Sequence, residues 1–365
     1  MSESFEEGIE MPGIPKETAR KMARLEEEFN RVELDQLRAS VPLLRPLYEK
    51  RNALITRPDV EAEFWIRVFS NAPAEIDEYI LPSDAAILST CLKNLTIERF
   101  EVDDKGQGEP RSLRLTFEFR TDEENAFITD AKVVKDFYWR QQVTKNAQGK
   151  RRFWEGLVSE PVRINWKKGM DPTKGLLDAA CDLAEAEKKQ QQKKKGADRT
   201  TLPEFEKLVR KVAELEAAAN EDEDEEDDED PMAGNSPAGV SFFALFGYRG
   251  RDVSAEQSKE AEKDEEERWA KIAKGEEPED EDEDDDDDEE DEDVDSLEDI
   301  EIFPDGEDVA TAIAEDLWPN ALKYYVESYA IADDLSDADL EDLEDLEGDE
   351  DDEEEESHPR KKTKV

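Results

Sequence analysis

Apolar residues recur along the chain with a helical period first and with a period of two afterwards. Residues 16–56 repeat them every three or four positions, which predicts one long helix, and residues 60–92 continue the helical period in shorter pieces. Beyond these, strict alternation predicts four strands, at residues 95–100, 113–119, 133–139 and 162–166. Consecutive strands on short loops indicate an antiparallel sheet with one face covered by helices, so the predicted fold class is α+β.

The long helix carries a seam suited to pairing with a second helix. Its apolar positions follow the a/d spacing of a coiled coil up to Val32, where the seam slips before it resumes. A helix of about 40 residues spans roughly 60 Å, more than one small domain covers, so we predict a homodimer with parallel or antiparallel helices. The alternative is a helix that lies across its own domain. Pro42 and Pro46 are expected to bend it, because each lacks a backbone donor. The dimerisation candidates are Met22, Leu25, Phe29, Val32, Leu37, Val41, Leu44 and Tyr48.

The later part of the chain alternates ordered and low-complexity segments. A basic patch at 188–195 is followed by an amphipathic helix at 202–215 and by ten consecutive acids at 221–230. An aromatic strand is predicted at 240–246, and the last ordered element at 312–329. The predicted organisation is a disordered N-terminus at 1–15, the long dimerisation helix at 16–58, the first part of the α+β domain at 59–182, a low-complexity linker at 183–238, an aromatic strand at 239–250, a disordered acidic insert at 251–300, C-terminal helices at 301–331, and an acidic tail at 332–365.

Charge is distributed very unevenly along the chain. The formal net charge of −54 comes from 103 acids against 49 bases, and residues 221–365 hold 62 of those acids with 12 bases. Such a segment is largely too charged to bury a core, so we expect disordered acidic tracts. These tracts are either solvating chains or polyanions that attract proteins rich in Lys and Arg. Three separate tracts, at residues 221–230, 279–293 and 333–356, favour the second interpretation, because two of them interrupt a folded region. Cationic partners are therefore expected, and sequence-specific binding of nucleic acid is not.

Composition also argues against catalysis. The single histidine, His358, stands in a charged segment near the end, which excludes histidine-based triads, zinc sites and acid–base chemistry. Cys91 and Cys181 lie far apart and predict buried reduced thiols rather than a disulfide. The chain has no nucleotide-binding or metal-binding motif, so we expect no enzyme, no cofactor and no metal site. The acidic N-terminus does not resemble a signal peptide, and no apolar stretch is long enough to span a membrane.

A basic cluster follows the last acidic tract. Its bases stand directly after Pro359 and are Arg360, Lys361, Lys362 and Lys364. The favoured interpretation is a nuclear-localisation signal that importin binds, which predicts a nuclear protein and leaves shuttling to the cytoplasm open. The alternative is a basic stub that folds back on the preceding acids.

Four segments together resemble the nucleosome assembly protein family of histone chaperones, closest to its SET branch. They are residues 44–51 with Phe64-Trp65, residues 164–171 (INWKKGMD), residues 241–246 (SFFALF) and residues 315–325 (EDLWPNALKYY), in family order. The resemblance implies a homodimer with an earmuff-shaped α+β domain at each end of the paired helices. It also implies binding of core histones, both the tetramer-forming and the dimer-forming pair, with nucleosome assembly and disassembly that need no ATP.

The same resemblance assigns histone contacts to an acidic concave surface and to the acidic tail. The matching candidates are Glu307, Asp308, Glu315, Asp316, Asp333, Asp334, Asp351, Asp352, Glu353 and Glu354. An alternative function is that of an acidic nuclear regulator that inhibits or escorts an enzyme, such as a phosphatase or a histone acetyltransferase. A histone-modifying enzyme is accordingly a further expected partner.

Overall fold

A 40-residue helix, α1 (Lys16–Ile55), leads into an α+β domain built on a four-stranded sheet. The computed structural model describes residues 14–123, 125–145, 150–191, 199–225, 239–273 and 300–330. The predicted fold class and the predicted long helix are confirmed. The helix continues through Pro42 and Pro46, so neither proline ends it.

The domain holds α1 through a turn between the first two strands. On α1, Arg38 Nε donates to the Gly108 carbonyl at 2.8 Å, and Arg45 Nη2 donates to the Val102 carbonyl at 3.1 Å. Gly108 has a φ of 114°, and a Cβ there would lie 1.9 Å from the Glu101 carbonyl oxygen. The turn therefore requires glycine, which can adopt this backbone conformation at no steric cost.

Three short helices and the sheet form the first part of the domain. The helices are α2 (Phe64–Phe69), α3 (Ala74–Asp77) and α4 (Pro82–Cys91). The strands are β1 (Leu92–Glu98), β2 (Leu113–Phe119), β3 (Lys132–Lys145) and β4 (Arg151–Ser159), all antiparallel and neighbours in chain order. Leu95 lies opposite Phe117, and Phe117 opposite Val133, and all three are buried, which places the core on that face.

The fourth strand is not where the alternation predicted it. Residues 162–166 contribute an isolated bridge between Trp166 and Ile128, whereas β4 spans Arg151–Ser159 and pairs with β3 as a long hairpin. Pro161 has no N–H to give to a ladder, which ends the strand before the predicted segment begins.

The predicted aromatic strand is a short 3₁₀ helix, Phe242–Gly247. All six of its residues are buried, so no exposed face exists that could give a period of two. Ser241 Oγ accepts the Phe243 N–H at 3.2 Å, and the buried Asp84 accepts the Phe242 N–H at 2.8 Å.

A buried lysine fixes the end of this 3₁₀ helix. Lys135 Nζ donates to the carbonyls of Glu160, Phe246 and Tyr248 at 2.8, 3.0 and 2.6 Å. Burial lowers the pKa of Lys135 to about 7. Three carbonyls use all three of its donors, which makes this lysine part of the core.

The segment predicted as a linker at 183–238 contains packed helices. α5 (Leu176–Gln191) extends into it, and α6 (Pro203–Glu225) includes the amphipathic helix predicted at 202–215. Leu208 is buried, and Lys207 Nζ forms an ion pair with Asp182 at 2.8 Å. The apolar stripe of α6 is therefore covered by the domain, which is why these residues are ordered rather than a linker.

The predicted disordered insert at 251–300 likewise contains a helix, α7 (Ala255–Ala273). It covers the edge of β3 beyond the end of β2, where Ser258 Oγ accepts the Gln141 N–H at 3.0 Å. Ala261 is buried there, and Arg151 forms an ion pair with Asp264 at 3.2 Å. An open strand edge attracts other strands, so this helix protects the hairpin.

The described chain closes with a helical segment that begins at α8 (Gly306–Ala312). A π-helical turn, Ile313–Leu317, follows it, and the last helix, α9, covers residues 321–330. Val309, Ile313 and Leu317 are fully buried in the core.

Candidate functional site

The first predicted acid, Glu307, serves the fold. It stands in the first turn of α8, where its carboxylate accepts the Leu157 N–H at the outer edge of β4. A Cβ at Gly156 would lie 2.9 Å from Glu307 Oε2, so the glycine makes room for the carboxylate. Burial is the main cause that raises the pKa of Glu307 to about 7, and the negative charges of Asp308 and Glu155 contribute to the same shift.

Its neighbour Asp308 differs in burial and in hydrogen bonding. Asp308 is exposed and pairs with no cation among the described residues. Of the four predicted acids in the folded domain, it alone has no structural duty in the described part of the chain.

The other two predicted acids hold the turn that carries Trp318. Glu315 forms an ion pair with Arg99 at 3.0 Å. Asp316 Oδ1 accepts from Asn320 Nδ2 at 2.8 Å and from the Tyr324 hydroxyl at 2.9 Å. Burial and this hydrogen bond raise the pKa of Tyr324 to about 12.

Trp318 connects this turn to α1. Its ring stacks on Trp65 at 6.0 Å between centroids and lies 5.4 Å from the ring of Tyr48 on α1. The Arg51 guanidinium lies 3.8 Å from the centre of the Trp318 ring, and burial lowers the pKa of Arg51 to about 10. The predicted dimerisation residue Tyr48 thus packs against its own domain.

The apolar residues of α1 form two stripes. At roughly 100° per residue, Leu37, Val41, Leu44 and Tyr48 lie about a quarter turn from Met22, Leu25, Phe29 and Val32. The first set turns toward the domain: Leu37, Val41 and Tyr48 are half-buried, and Leu44 is 39% exposed. The second set is 52–58% exposed, at Met22, Leu25, Phe29 and Val32.

The exposed stripe continues along α1 through residues that sequence reasoning missed. Leu43, Leu47 and Leu54 lie on the same line as Met22 and are 72%, 55% and 46% exposed. Strict seven-residue steps from Phe29 through Gln36 lead to Leu43. A constant seven-residue repeat therefore predicts the exposed stripe beyond Val32, whereas the nearest apolar residues after Val32 lie on the side that faces the domain.

The remaining predicted sites lie outside the described residues. These are the tail acids Asp333, Asp334, Asp351, Asp352, Glu353 and Glu354, and the bases Arg360, Lys361, Lys362 and Lys364. Within the described ranges, no group of three or more His, Cys, Asp or Glu could hold a metal ion, and no helix has the length and apolarity to cross a membrane. Cys91 and Cys181 are free and buried, as predicted, and burial raises the pKa of Cys181 to about 11.

The protein is thus an α+β domain with a long N-terminal helix, which exposes an apolar stripe and contacts the domain through the turn that carries Trp318. A family model described as Nucleosome assembly protein (NAP) matches residues 59–328, and this chain belongs to the nucleosome assembly protein family. The resemblance noted from the four sequence segments is thereby confirmed.

Two curated relatives illustrate the relationship. A nucleosome assembly protein of Schizosaccharomyces pombe is 31% identical over 150 residues, which are 40% of this chain and 57% of the relative. Protein SET of Drosophila melanogaster is 24% identical over 168 residues, which are 46% of this chain and 51% of the relative. The chain thus spans about half the length of the curated relatives it matches. A crystal structure of a Ccp1 mutant aligns over 87% of this chain and 98% of its own, with a TM-score of 0.46 and 21% identity.

Proposed function

We propose that this protein is a histone chaperone, which binds core histones and promotes nucleosome assembly and disassembly without ATP hydrolysis. The observation that carries the proposal is family membership in a chain whose residues 221–365 hold 62 acids against 12 bases. Histones are dense in Lys and Arg, so polyacidic segments attract them over long range. DNA releases counterions when it binds the same bases, which lets it take the histones over. In this proposal the protein acts by binding rather than by catalysis, and it works in the nucleus, to which importin delivers it through residues 360–364.

Among the folded acids, Asp308 is our first candidate for a histone contact. It is exposed and has no structural duty within the described chain, whereas Glu307 and Asp316 accept hydrogen bonds that hold the domain. Glu315 is 53% exposed, so its carboxylate can contact a histone base while it stays paired with Arg99. The tail at 333–356, with 17 acids in 24 residues, supplies the main attraction in this proposal.

We also propose a homodimer with antiparallel α1 helices. Two pairs of residues in the exposed stripe of α1 are symmetric about residue 38. An antiparallel pair in that register brings Met22 opposite Leu54 and Phe29 opposite Leu47. In a two-fold interface each such contact occurs twice, because residue i of one chain contacts residue j of the other and the reverse. A parallel pair would instead place both domains at the same end, because each domain holds the second half of its own helix through Arg38, Arg45 and Tyr48.

A plasmid supercoiling assay tests the chaperone proposal. The full-length protein is incubated with core histones and relaxed plasmid in the presence of topoisomerase and without ATP, and we expect negative supercoils in proportion to the protein added. A parallel pull-down compares purified core histones with candidate enzyme partners. Absence of supercoiling together with capture of an enzyme alone would replace the chaperone by the enzyme regulator.

A further inference from the structure

The outer edge of β4, which faces away from β3, is paired at the end of the strand and open before it. The Ser159 N–H donates to the Arg249 carbonyl at 2.7 Å. Leu157 donates its N–H to the Glu307 carboxylate and accepts the Tyr248 hydroxyl at 2.9 Å. Before Leu157, no described residue forms a hydrogen bond with the outward backbone groups of the strand.

The register of the hairpin identifies these outward groups. On β3, the N–H groups of Trp139 and Gln141 point away from β4 and donate to serine hydroxyls. Directly opposite residues of an antiparallel pair either bond to each other or both point outward. Leu157 and Glu155, which lie opposite these two, therefore point outward, and so does Phe153 two residues earlier. The open edge thus offers the N–H and carbonyl groups of Phe153 and Glu155.

The side chains beside this open edge are acidic on both faces of β4. Glu155 lies on one face and is 40% exposed. On the other face Gly156 has no side chain, and the Glu307 carboxylate lies there, next to the exposed Asp308. The charges of Asp308 and Glu155 both raise the pKa of Glu307, and no described cation lowers it. Negative potential therefore prevails at this end of the edge.

The arginines of this region already have partners. Arg111 is shared between Glu109 and Glu155, at 2.8 and 3.5 Å, so it offsets only part of their charge. Arg151 pairs with two acids of α7, and Arg251 lies over a tryptophan ring at 5.1 Å. An extended basic segment therefore complements the open edge twice, in backbone hydrogen bonds and in charge.

We propose that the open edge of β4, at Phe153 and Glu155, binds an extended Lys- and Arg-rich segment as an added strand, whose basic side chains contact Glu155 and Asp308. The inference rests on the proposed chaperone function and specifies the part of the histone that binds here, which is a basic tail rather than the histone fold. Backbone pairing accepts many sequences, and alternate side chains of an added strand reach the acids on both faces of β4.

Hydrogen–deuterium exchange of the full-length protein tests the added strand. The probe is a synthetic peptide with the sequence of a core-histone amino-terminal tail. At saturating peptide we expect exchange in residues 151–156 to slow at least fivefold, because the N–H groups of Phe153 and Glu155 become hydrogen-bond donors. The central strand β2 is the internal reference, since its amides are already paired on both sides. Binding to the acidic tail alone would give affinity without protection of residues 151–156.

Phe153→Pro provides a second readout, because it removes an outward N–H. Proline is tolerated in an edge strand where its position does not donate to the ladder, so the hairpin should stay paired. We expect the dissociation constant of the fluorescently labelled peptide to rise about tenfold. Phe153→Leu is the matched control, which keeps the N–H and should bind within about twofold of the original. Near-ultraviolet circular dichroism verifies that both variants are folded.

The outcomes separate the added strand from the chaperone function. A protein that binds core histones and supercoils plasmid, yet shows no protection of residues 151–156, overturns the added strand and leaves the chaperone function intact. Equal dissociation constants for the folded proline and leucine variants overturn it as well. If the proline variant does not fold, the exchange experiment on the unaltered protein decides. A protein that binds neither core histones nor the peptide overturns both proposals together.

Discussion

At the outer edge of β4, the carboxylate of Glu307 takes the place that a neighbouring strand would occupy, because it accepts the Leu157 N–H. The same group is close to two other carboxylates, Asp308 and Glu155, and is partly withdrawn from water. The fold therefore favours its protonated form, since burial penalises the charge. Glu307, a histone-contact candidate by motif resemblance, thus stabilises the edge of the sheet.

This geometry predicts that Glu307→Gln stabilises the protein in a pH-dependent way. The folded-state pKa of about 7 lies above the ordinary value of 4.5. The stabilisation from the proton is therefore complete below about pH 4.5 and is lost as the pH rises through 7. Glutamine keeps an acceptor for the Leu157 N–H without the charge, so we expect a gain of about 1 kcal/mol in unfolding free energy at pH 8 and little change at pH 5. Urea unfolding at both pH values measures it.

Asp308→Asn is the matched control for this experiment. It removes one negative charge from the adjacent, exposed position, which is only a minor cause of the raised pKa of Glu307, so its gain at pH 8 should be clearly smaller than that of Glu307→Gln and its effect at pH 5 small. An equal shift for the two variants would contradict a special role for burial at Glu307.

On the scale of elements, α1 has two functions on adjacent sides. One side carries Arg38, Arg45 and Tyr48 and is occupied by the domain of the same chain. The other carries the exposed stripe from Met22 to Leu54. The same helix therefore belongs to the domain and, in the proposed dimer, also to the interface.

Disulfide trapping distinguishes the two possible directions of the helix pair. With Met22→Cys and Leu54→Cys on separate chains, we expect a mixed cross-link in the antiparallel dimer and no self cross-link of the Met22→Cys protein. A parallel pair reverses this outcome, because residue 22 would then face residue 22. Denaturing gels run without dithiothreitol show both cross-linked products, and the same samples with dithiothreitol verify that the links are disulfides.

Elements with a single regular face could be predicted from the sequence, and the others could not. The period of α1 and the alternation in Leu113–Phe119 each reflect one buried side, and both elements have their predicted place. The 3₁₀ helix at Phe242–Gly247 is buried all round and has no such period. In β4, arginines at the start and Gly156 in the middle hide the alternation. In α7, Ala261 and Trp269 are the few apolar contacts among many charged residues, so composition pointed to disorder.

The roles of the acids in the candidate site could be predicted from the sequence only in part. Motif resemblance selected the acids around Trp318, but it could not separate acids that hold the turn from acids that are free. That difference depends on Asn320, Tyr324 and Arg99, which come together only in the folded chain. Their sequence positions give no sign of which carboxylate each will meet.

For the molecule as a whole, negative charge is concentrated after residue 220, so in the proposed function the strength of histone binding depends on salt. Deleting residues 333–356 removes 17 acids, so we expect histone affinity to fall about tenfold at low salt and the slope of log Kd against log salt to become shallower. Fluorescence titrations over a range of salt concentrations measure both quantities.

A tail with the same 24 residues in scrambled order is the control for this deletion. It keeps the charge and the length, and it should bind as the original does if attraction by charge density is the mechanism. An unchanged salt slope after the deletion would contradict the role of the tail.

The cover that α7 gives to the β3–β4 hairpin has a consequence for how the protein is made. The hydrogen bond between Gln141 and Ser258 joins residues 117 positions apart. At ribosomal rates of about 5–20 residues per second, the hairpin edge emerges roughly 6–23 s before the helix that covers it. During that interval the nascent chain presents an open strand edge to its neighbours on the same messenger. Slowly initiated translation or a chaperone at the ribosome exit should therefore raise the soluble yield of this protein.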